Sequence, residues 1–204
     1  GSLSDAAAWS FCQDKIMTTA GEGGAVTTSN EEIWSKIWSL KDHGKSYDAV
    51  YNREHQPGFR WLHESIGSNW RMLEIQGAIG RIQLSLMPQW HEARARNAQQ
   101  YYSAWNQLEA LRIPVPPKNV EHAWYKFYAF VRPETLDPGW SRDRIMNEIT
   151  SRGVPCYSGS CSEMYLEKAF TDLGIGPKER LPNARMLGET SLMFLVHPTL
   201  TGME

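Results

Sequence analysis

The sequence predicts an α/β chain that ends in a small α+β domain, and three observations carry that prediction. Two short apolar segments flank a glycine-rich turn and lead into a capped helical pattern. A strongly amphipathic helix follows a long aperiodic stretch, and from about residue 110 strand-like and helix-like segments alternate.

Taken in order, AAAWSF (6–11) and GGAVTTS (23–29) read as short buried strands joined through the turn TAGEG. Asn30 is placed to cap a helix whose first turn carries Glu31 and Glu32, where carboxylates complement the helix dipole. Ile33, Ile37 and Leu40 form its apolar face, with Trp34 and Trp38 beside them, and Gly44 is the expected stop. Residues 45–68 follow neither period, and an aperiodic stretch of that length in a compact domain tends to be functional or to pack on a partner. Met72, Ile75, Ile79, Ile82 and Leu86 then mark an amphipathic helix, which Pro88 is expected to kink or break before a second stretch to about Leu108. IPVPP reads as extended and WYKFYAFV as a strand. SRDRIMNEITSRG reads as a helix capped by Ser141 and stopped by Gly153. A short strand at VPCYS, helices over SEMYLEKAF and ARMLGETS, and a strand at MFLVHP complete the chain.

The 204 residues are enough to bury a core, and a net charge of −2 leaves no electrostatic footprint for nucleic acid or an anionic membrane surface. Arg94 and Arg96 read as part of a solvated helix face. The three cysteines are an odd number with no signal-peptide pattern, so a disulfide framework is not expected. Cys156 and Cys161 lack neighbours at zinc-site spacing, no apolar run approaches the ~20 residues that span a bilayer, and a reducing cytoplasm is the default compartment. The nine tryptophans read mostly as core or interface anchors.

Lys15 is the residue that points to chemistry, because a lysine follows an apolar strand and precedes a glycine-rich turn. It reads either as an ordinary solvated residue at a strand edge or as an amine in a partly desolvated site. Burial disfavours the ammonium, and a neutral amine attacks carbonyls to form a Schiff base. Pyridoxal phosphate is the commonest biological use of such a lysine, and its phosphate needs hydroxyl or amide donors. Ser10 lies five residues upstream, within reach of the same ligand. The glycines of TAGEGG let backbone approach closely, yet fit neither a dinucleotide fingerprint nor a P-loop.

SFCQDKIMTTAGEGGAVTT (10–28), LKDHG (40–44), SNWRMLEIQGAIGRIQL (68–84), SGSCSEMYLEKAF and SLMFLVHPTL occur in this order along the chain. Together they resemble the DegT/DnrJ/EryC1/StrS family of pyridoxal-phosphate-dependent nucleotide-sugar aminotransferases. The resemblance implies the second half of a fold-type I cofactor domain over 1–69, with a dimer-crossing loop at 45–68. It further implies linking helices over 70–108, kinked near Pro88, and a small α+β domain over 109–204.

It also implies roles. Lys15 binds the cofactor aldehyde and moves a proton between the substrate carbon and the cofactor. Ser10 donates to the cofactor phosphate, and Asn69 reaches a phosphate oxygen across a homodimer interface. Arg71 contacts substrate, while His43 is a structural hydrogen-bonder. Asn69 also reads as a helix N-cap and Arg71 as a first-turn surface residue. The implied reaction moves an amino group, typically from glutamate, to a keto group of a nucleotide-linked sugar, typically for cell-surface polysaccharide. A related branch that performs dehydration has histidine in place of the lysine, so Lys15 argues for transamination.

Two departures shape the expectation. Only fourteen residues precede Lys15, and Asp5 is the only acidic residue among those before Asp14. The family's phosphate turn, ring-stacking aromatic and ring-nitrogen aspartate have no counterpart here, so the sequence reads as a piece truncated at both ends. In the C-terminal part, GVPCYSGSCSEMY stands where some relatives carry His-Tyr-Pro, which makes Tyr157, Ser158 and Ser160 the candidates for sugar contacts. A non-catalytic sugar-binding or assembly remnant of the same fold is the alternative.

Overall fold

The computed structural model describes residues 3–58 and 60–200. They form two compact units, divided between Met87 and Pro88.

In the first unit, β1 (Ala6–Ser10) pairs antiparallel with β2 (Gly24–Thr28), with Ala8 opposite Val26 and Ser10 opposite Gly24. Both strands form where the pattern put them, but neither is buried: Trp9 and Val26 remain nearly half exposed. A two-stranded ribbon covered by one helix has too little partner surface to bury both of its faces.

Helix α1 (Glu31–Lys41) starts as expected, with the Ile33 N–H donating to Asn30 Oδ1 at 3.1 Å. It ends in a tight reversal where His43 and Gly44 both take positive φ and the Gly44 N–H donates to Ser39 O at 2.8 Å. The stretch 45–68 is not wholly irregular. Ser46 accepts from the Ala49 N–H and caps a short helix, α2 (Tyr47–Tyr51). Its tyrosines meet Trp34 and Trp38 edge-on at ring distances of 5.1 to 6.1 Å, a contact that spacing within either segment could not reveal.

Helix α3 (Glu74–Trp105) is a single helix with Pro88 inside it, not two stretches. The ring removes one N–H from the ladder, yet the helix continues on both sides. Asn69 is not its N-cap, because α3 begins five residues later, with the Leu73 N–H donating to Gln76 Oε1 at 2.9 Å.

The second unit holds an antiparallel sheet in the order β3 (Leu111–Arg112), β4 (Phe127–Val131), β6 (Ser191–Phe194), β5 (Cys156–Tyr157). Helix α4 (Arg142–Ser151) is capped by Ser141, which accepts from the Arg144 N–H at 3.2 Å. SEMYLEKAF does not form one helix. A single 3-10 turn at Met164–Leu166 is separated from α5 (Lys168–Thr171) by Glu167, whose ψ of 140° is extended. Helix α6 (Pro182–Thr190) precedes β6.

Alternation on β4 turns Phe127, Ala129 and Val131 inward against Leu192, Phe194 and Ala98, with Tyr101 and Trp105 packed on the phenylalanines. Arg94 is buried, not solvated. Its Nη1 donates to Trp124 O at 3.1 Å and Tyr125 O at 3.2 Å, holding a backbone turn in which Trp124 has a φ of 50°. Trp105 fills the anchoring role expected of tryptophans, but Trp9, Trp34, Trp61, Trp70 and Trp140 are all more than two-fifths exposed.

Candidate active site

The loop between β1 and β2 is fixed by its own backbone. The Phe11 N–H donates to Gly23 O at 2.8 Å, the Thr19 N–H to Phe11 O at 3.3 Å, and the Thr18 N–H to Gln83 Oε1 at 2.8 Å. Thr19 is buried, and a Cβ on Gly23 would come within 2.1 Å of its hydroxyl. That glycine is therefore demanded by packing against Thr19. The turn is a clamp on the loop ends, and the clamp presents the segment 12–17.

Lys15 sits in that segment, in a turn closed by its N–H donating to Cys12 O at 3.0 Å. Its side chain is 38% exposed and its Nζ lies 3.5 Å from Asp14 Oδ1. The amine is neither sealed from water nor fully solvated. Ser10 Oγ accepts the Cys12 N–H at 3.4 Å. Ser10, the last residue of β1, and Lys15, in the loop that follows it, suit a phosphorylated aldehyde in type: a hydroxyl that keeps its proton to donate and an amine with a reachable end.

Asn69 and Arg71 belong to a second cluster in the same unit. The Ser68 N–H donates to Leu40 O at 2.7 Å, the His43 N–H to Ser68 O at 3.1 Å, and the Trp70 N–H to Lys41 O at 2.9 Å. Asp42 and Asn69 therefore face each other as an antiparallel bridge, which is why the backbone is not free to begin α3 at Asn69. Arg71 Nε donates to Asn69 Oδ1 at 3.2 Å, and its Nη1 lies 3.5 Å from Asp42 Oδ1. Asn69 and Arg71 are exposed, whereas Asp42 is buried. His43 makes a structural contact, its ring edge-on to His63 at 6.5 Å. The sequence flagged LKDHG only as a motif. The convergence of Lys41, Lys45 and Arg71 on Asp42 needed the fold to bring residue 71 back to residue 42.

Tyr157, Ser158 and Ser160 lie in the second unit. Tyr157 is an exposed β5 residue opposite Met193, and Ser158 O accepts the Ser191 hydroxyl at 2.6 Å. Ser158 and Ser160 line a cavity of about 310 Å³ together with Arg142, Ser162 and Glu163, whereas Tyr157 is not among its lining. Arg142 was not expected there. Its Nη1 is spent on Gly188 O at 3.0 Å and Ser191 O at 2.9 Å, which makes it a brace for the cavity wall.

The other wall is held by Glu163, which pairs with Arg180 and accepts the Tyr165 hydroxyl at 2.6 Å. Arg180, and then Tyr165, hold the Glu163 carboxyl down to about 2 from its ordinary 4.5. A carboxyl lowered on folding stabilises the folded state above its ordinary range, and that stability is lost as pH falls through the lowered value. Urea midpoints measured from pH 5 to 2 are expected to drop in the wild-type chain, with a clearly flatter profile in Glu163→Gln. Parallel profiles would remove Glu163 as the cause.

A family model described as the DegT/DnrJ/EryC1/StrS aminotransferase family matches residues 1–204. The chain is 31% identical over 203 residues to an uncharacterised protein of Methanocaldococcus jannaschii, covering 98% of this chain and 51% of that protein. It is 27% identical over 201 residues to the dTDP-3-amino-3,4,6-trideoxy-alpha-D-glucose transaminase of Streptomyces venezuelae, covering 98% and 47%. Among solved structures, an aminotransferase from Psychrobacter cryohalolentis superposes with a TM-score of 0.92 at 56% identity, covering 98% of this chain and 53% of that one. The chain thus spans about half the length of the curated relatives it matches.

Proposed function

This chain belongs to the DegT/DnrJ/EryC1/StrS aminotransferase family, and from that premise we propose that it serves a pyridoxal-phosphate-dependent transfer of an amino group, from glutamate, to a keto group of a nucleotide-linked sugar. The observation that carries this reading is Lys15: a partly exposed amine on a backbone-clamped loop that begins directly after Ser10. The sugar assignment is supported by the activity for which the Streptomyces venezuelae relative is named.

Lys15 would anchor the cofactor aldehyde through its amine and, once an incoming amino group has displaced it, would move a proton between the substrate carbon and the cofactor. To do so the amine would leave Asp14, whose carboxylate lies 3.5 Å away. Ser10 donates its hydroxyl proton to the phosphate. Asn69 supplies a second donor from the partner copy of a homodimer, with the 45–68 segment crossing between copies. The cofactor, when bound, supplies the electron sink that makes the substrate carbon acidic. Ser158 and Ser160 present hydroxyls for the sugar, with Tyr157 beside them on the strand, and Arg71 retains a nitrogen for the substrate. Among the described residues no helix is long and apolar enough to cross a membrane. The three cysteines are free, which accords with work in the cytoplasm.

The test is covalent trapping: incubation with pyridoxal phosphate, borohydride reduction and peptide mapping. Stable label confined to the peptide containing Lys15 is the expected result. Scattered labelling of surface lysines, or none, would favour a non-catalytic remnant of the fold.

A further inference from the structure

The junction between α1 and the segment 68–71 contains an arrangement that the transfer chemistry alone does not explain. The Asp42 side chain is only 11% exposed, and three cations converge on it: Lys45 Nζ and Arg71 Nη1 each at 3.5 Å from Oδ1, and Lys41 Nζ at 4.0 Å from Oδ2. Oδ1 is buried without a hydrogen bond, and among the described residues the guanidinium of Arg71 and the ammonium of Lys45 compensate its charge. Arg71 is thereby tethered at Nη1 while its Nε donates to Asn69 Oδ1 at 3.2 Å.

A guanidinium has five N–H donors and no acceptor. An asparagine amide facing it must therefore turn its oxygen inward, because the opposite orientation would set NH₂ against N–H. The amide nitrogen of Asn69 then points away from Arg71, and an N–H donor is the group that a phosphate oxygen requires. We propose that Asp42 and Arg71 are positioning residues for Asn69: Asp42 holds the guanidinium, and the guanidinium holds the amide with its donor side presented to the cofactor phosphate. The positive charge of Arg71 adds to the potential felt by that phosphate. This inference rests on the cofactor reading given above, and it gives Arg71 a role that acts through Asn69.

The test compares two probes in the full-length dimeric protein, pyridoxal phosphate and pyridoxal, which carry the same aldehyde and differ in the phosphate. Equilibrium affinity is read from the absorbance of the Lys15-bound form. Asp42→Asn and Arg71→Ala are each expected to weaken pyridoxal phosphate about tenfold, the size of one lost charge-assisted hydrogen bond, and to leave pyridoxal unchanged. Because the two residues act in series, the double variant is expected to be no weaker than Arg71→Ala alone. Asp42→Glu, which keeps the charge, is expected to weaken pyridoxal phosphate less than Asp42→Asn, and Arg71→Ala carries the comparison of the two probes by itself if Asp42→Asn does not fold. Equal weakening of both probes would mark a general structural role and overturn the proposal, as would unchanged affinity for pyridoxal phosphate or fully additive losses. A wild-type protein that takes neither aldehyde at Lys15 overturns the cofactor reading itself, and this inference falls with it.

Discussion

Replacing Gly44 by alanine is expected to destabilise the first unit by roughly 3–4 kcal/mol, near the upper end for a single substitution. Gly44 has a φ of +82°, where a Cβ is already strained, and that Cβ would lie 1.8 Å from Ser65 O and 2.5 Å from Ser65 C. The neighbour is backbone, which cannot rotate away as a side chain would. Its displacement would also break the bonds that the Glu64 and Ser65 N–H groups donate to Gly44 O at 2.9 and 3.1 Å. Gly67 closes the same junction, where an added Cβ would come within 2.2 Å of Gly44 N. The damage is therefore expected to propagate to Asn69, and pyridoxal phosphate affinity to fall with stability. Gly77→Ala is the matched control. It adds the same methyl in α3 with nothing within 4 Å of it, and is expected to be neutral or stabilising by up to about 1 kcal/mol. Urea denaturation of both variants decides the matter, and a loss below about 1 kcal/mol for Gly44→Ala would show that the junction is soft.

If the proposed reading holds, Lys15→Ala is expected to lower transamination by the full-length protein by about 10³-fold or more, since on that reading one side chain both anchors the cofactor and moves the proton. Its urea midpoint is expected to stay at the wild-type value. The lysine is partly exposed and its pair with Asp14 is a surface pair, worth between zero and about 1 kcal/mol. The separation of a large kinetic effect from a negligible thermodynamic one is the diagnostic feature. Retention of more than roughly a tenth of wild-type turnover would remove Lys15 from the proton path.

Local patterns in the sequence carried the fold well where neighbours in the chain decide the outcome. Asn30, Ser141 and Gly44 mark helix ends because each such contact is made within three to five residues along the chain. A short run of aromatic and apolar residues found β4, and the Lys15 loop was legible because its lysine, serine and glycines lie within fifteen residues. The failures share a cause: distant partners. Asn69 looked like a helix cap until the end of α1 captured its backbone, and Arg94 looked solvated until Trp124 and Tyr125 turned their carbonyls onto it. Glu167 interrupts a good helical pattern next to the tertiary pair of Glu163 with Arg180, seventeen residues away. Asp42 was hidden for the same reason, because its most telling partner, Arg71, is twenty-nine positions downstream.

The five water-facing tryptophans have a practical consequence. Trp9, Trp34, Trp61 and Trp70 all belong to the first unit and Trp140 to the second, while Trp105 packs on the second unit's core. Exposed indoles change their surroundings less on unfolding than Trp105 does, so a fluorescence melt weights the second unit's core more heavily than the first unit. Circular dichroism weights every peptide group alike. Different midpoints from the two signals would therefore mark a populated species in which one unit has unfolded and the other has not.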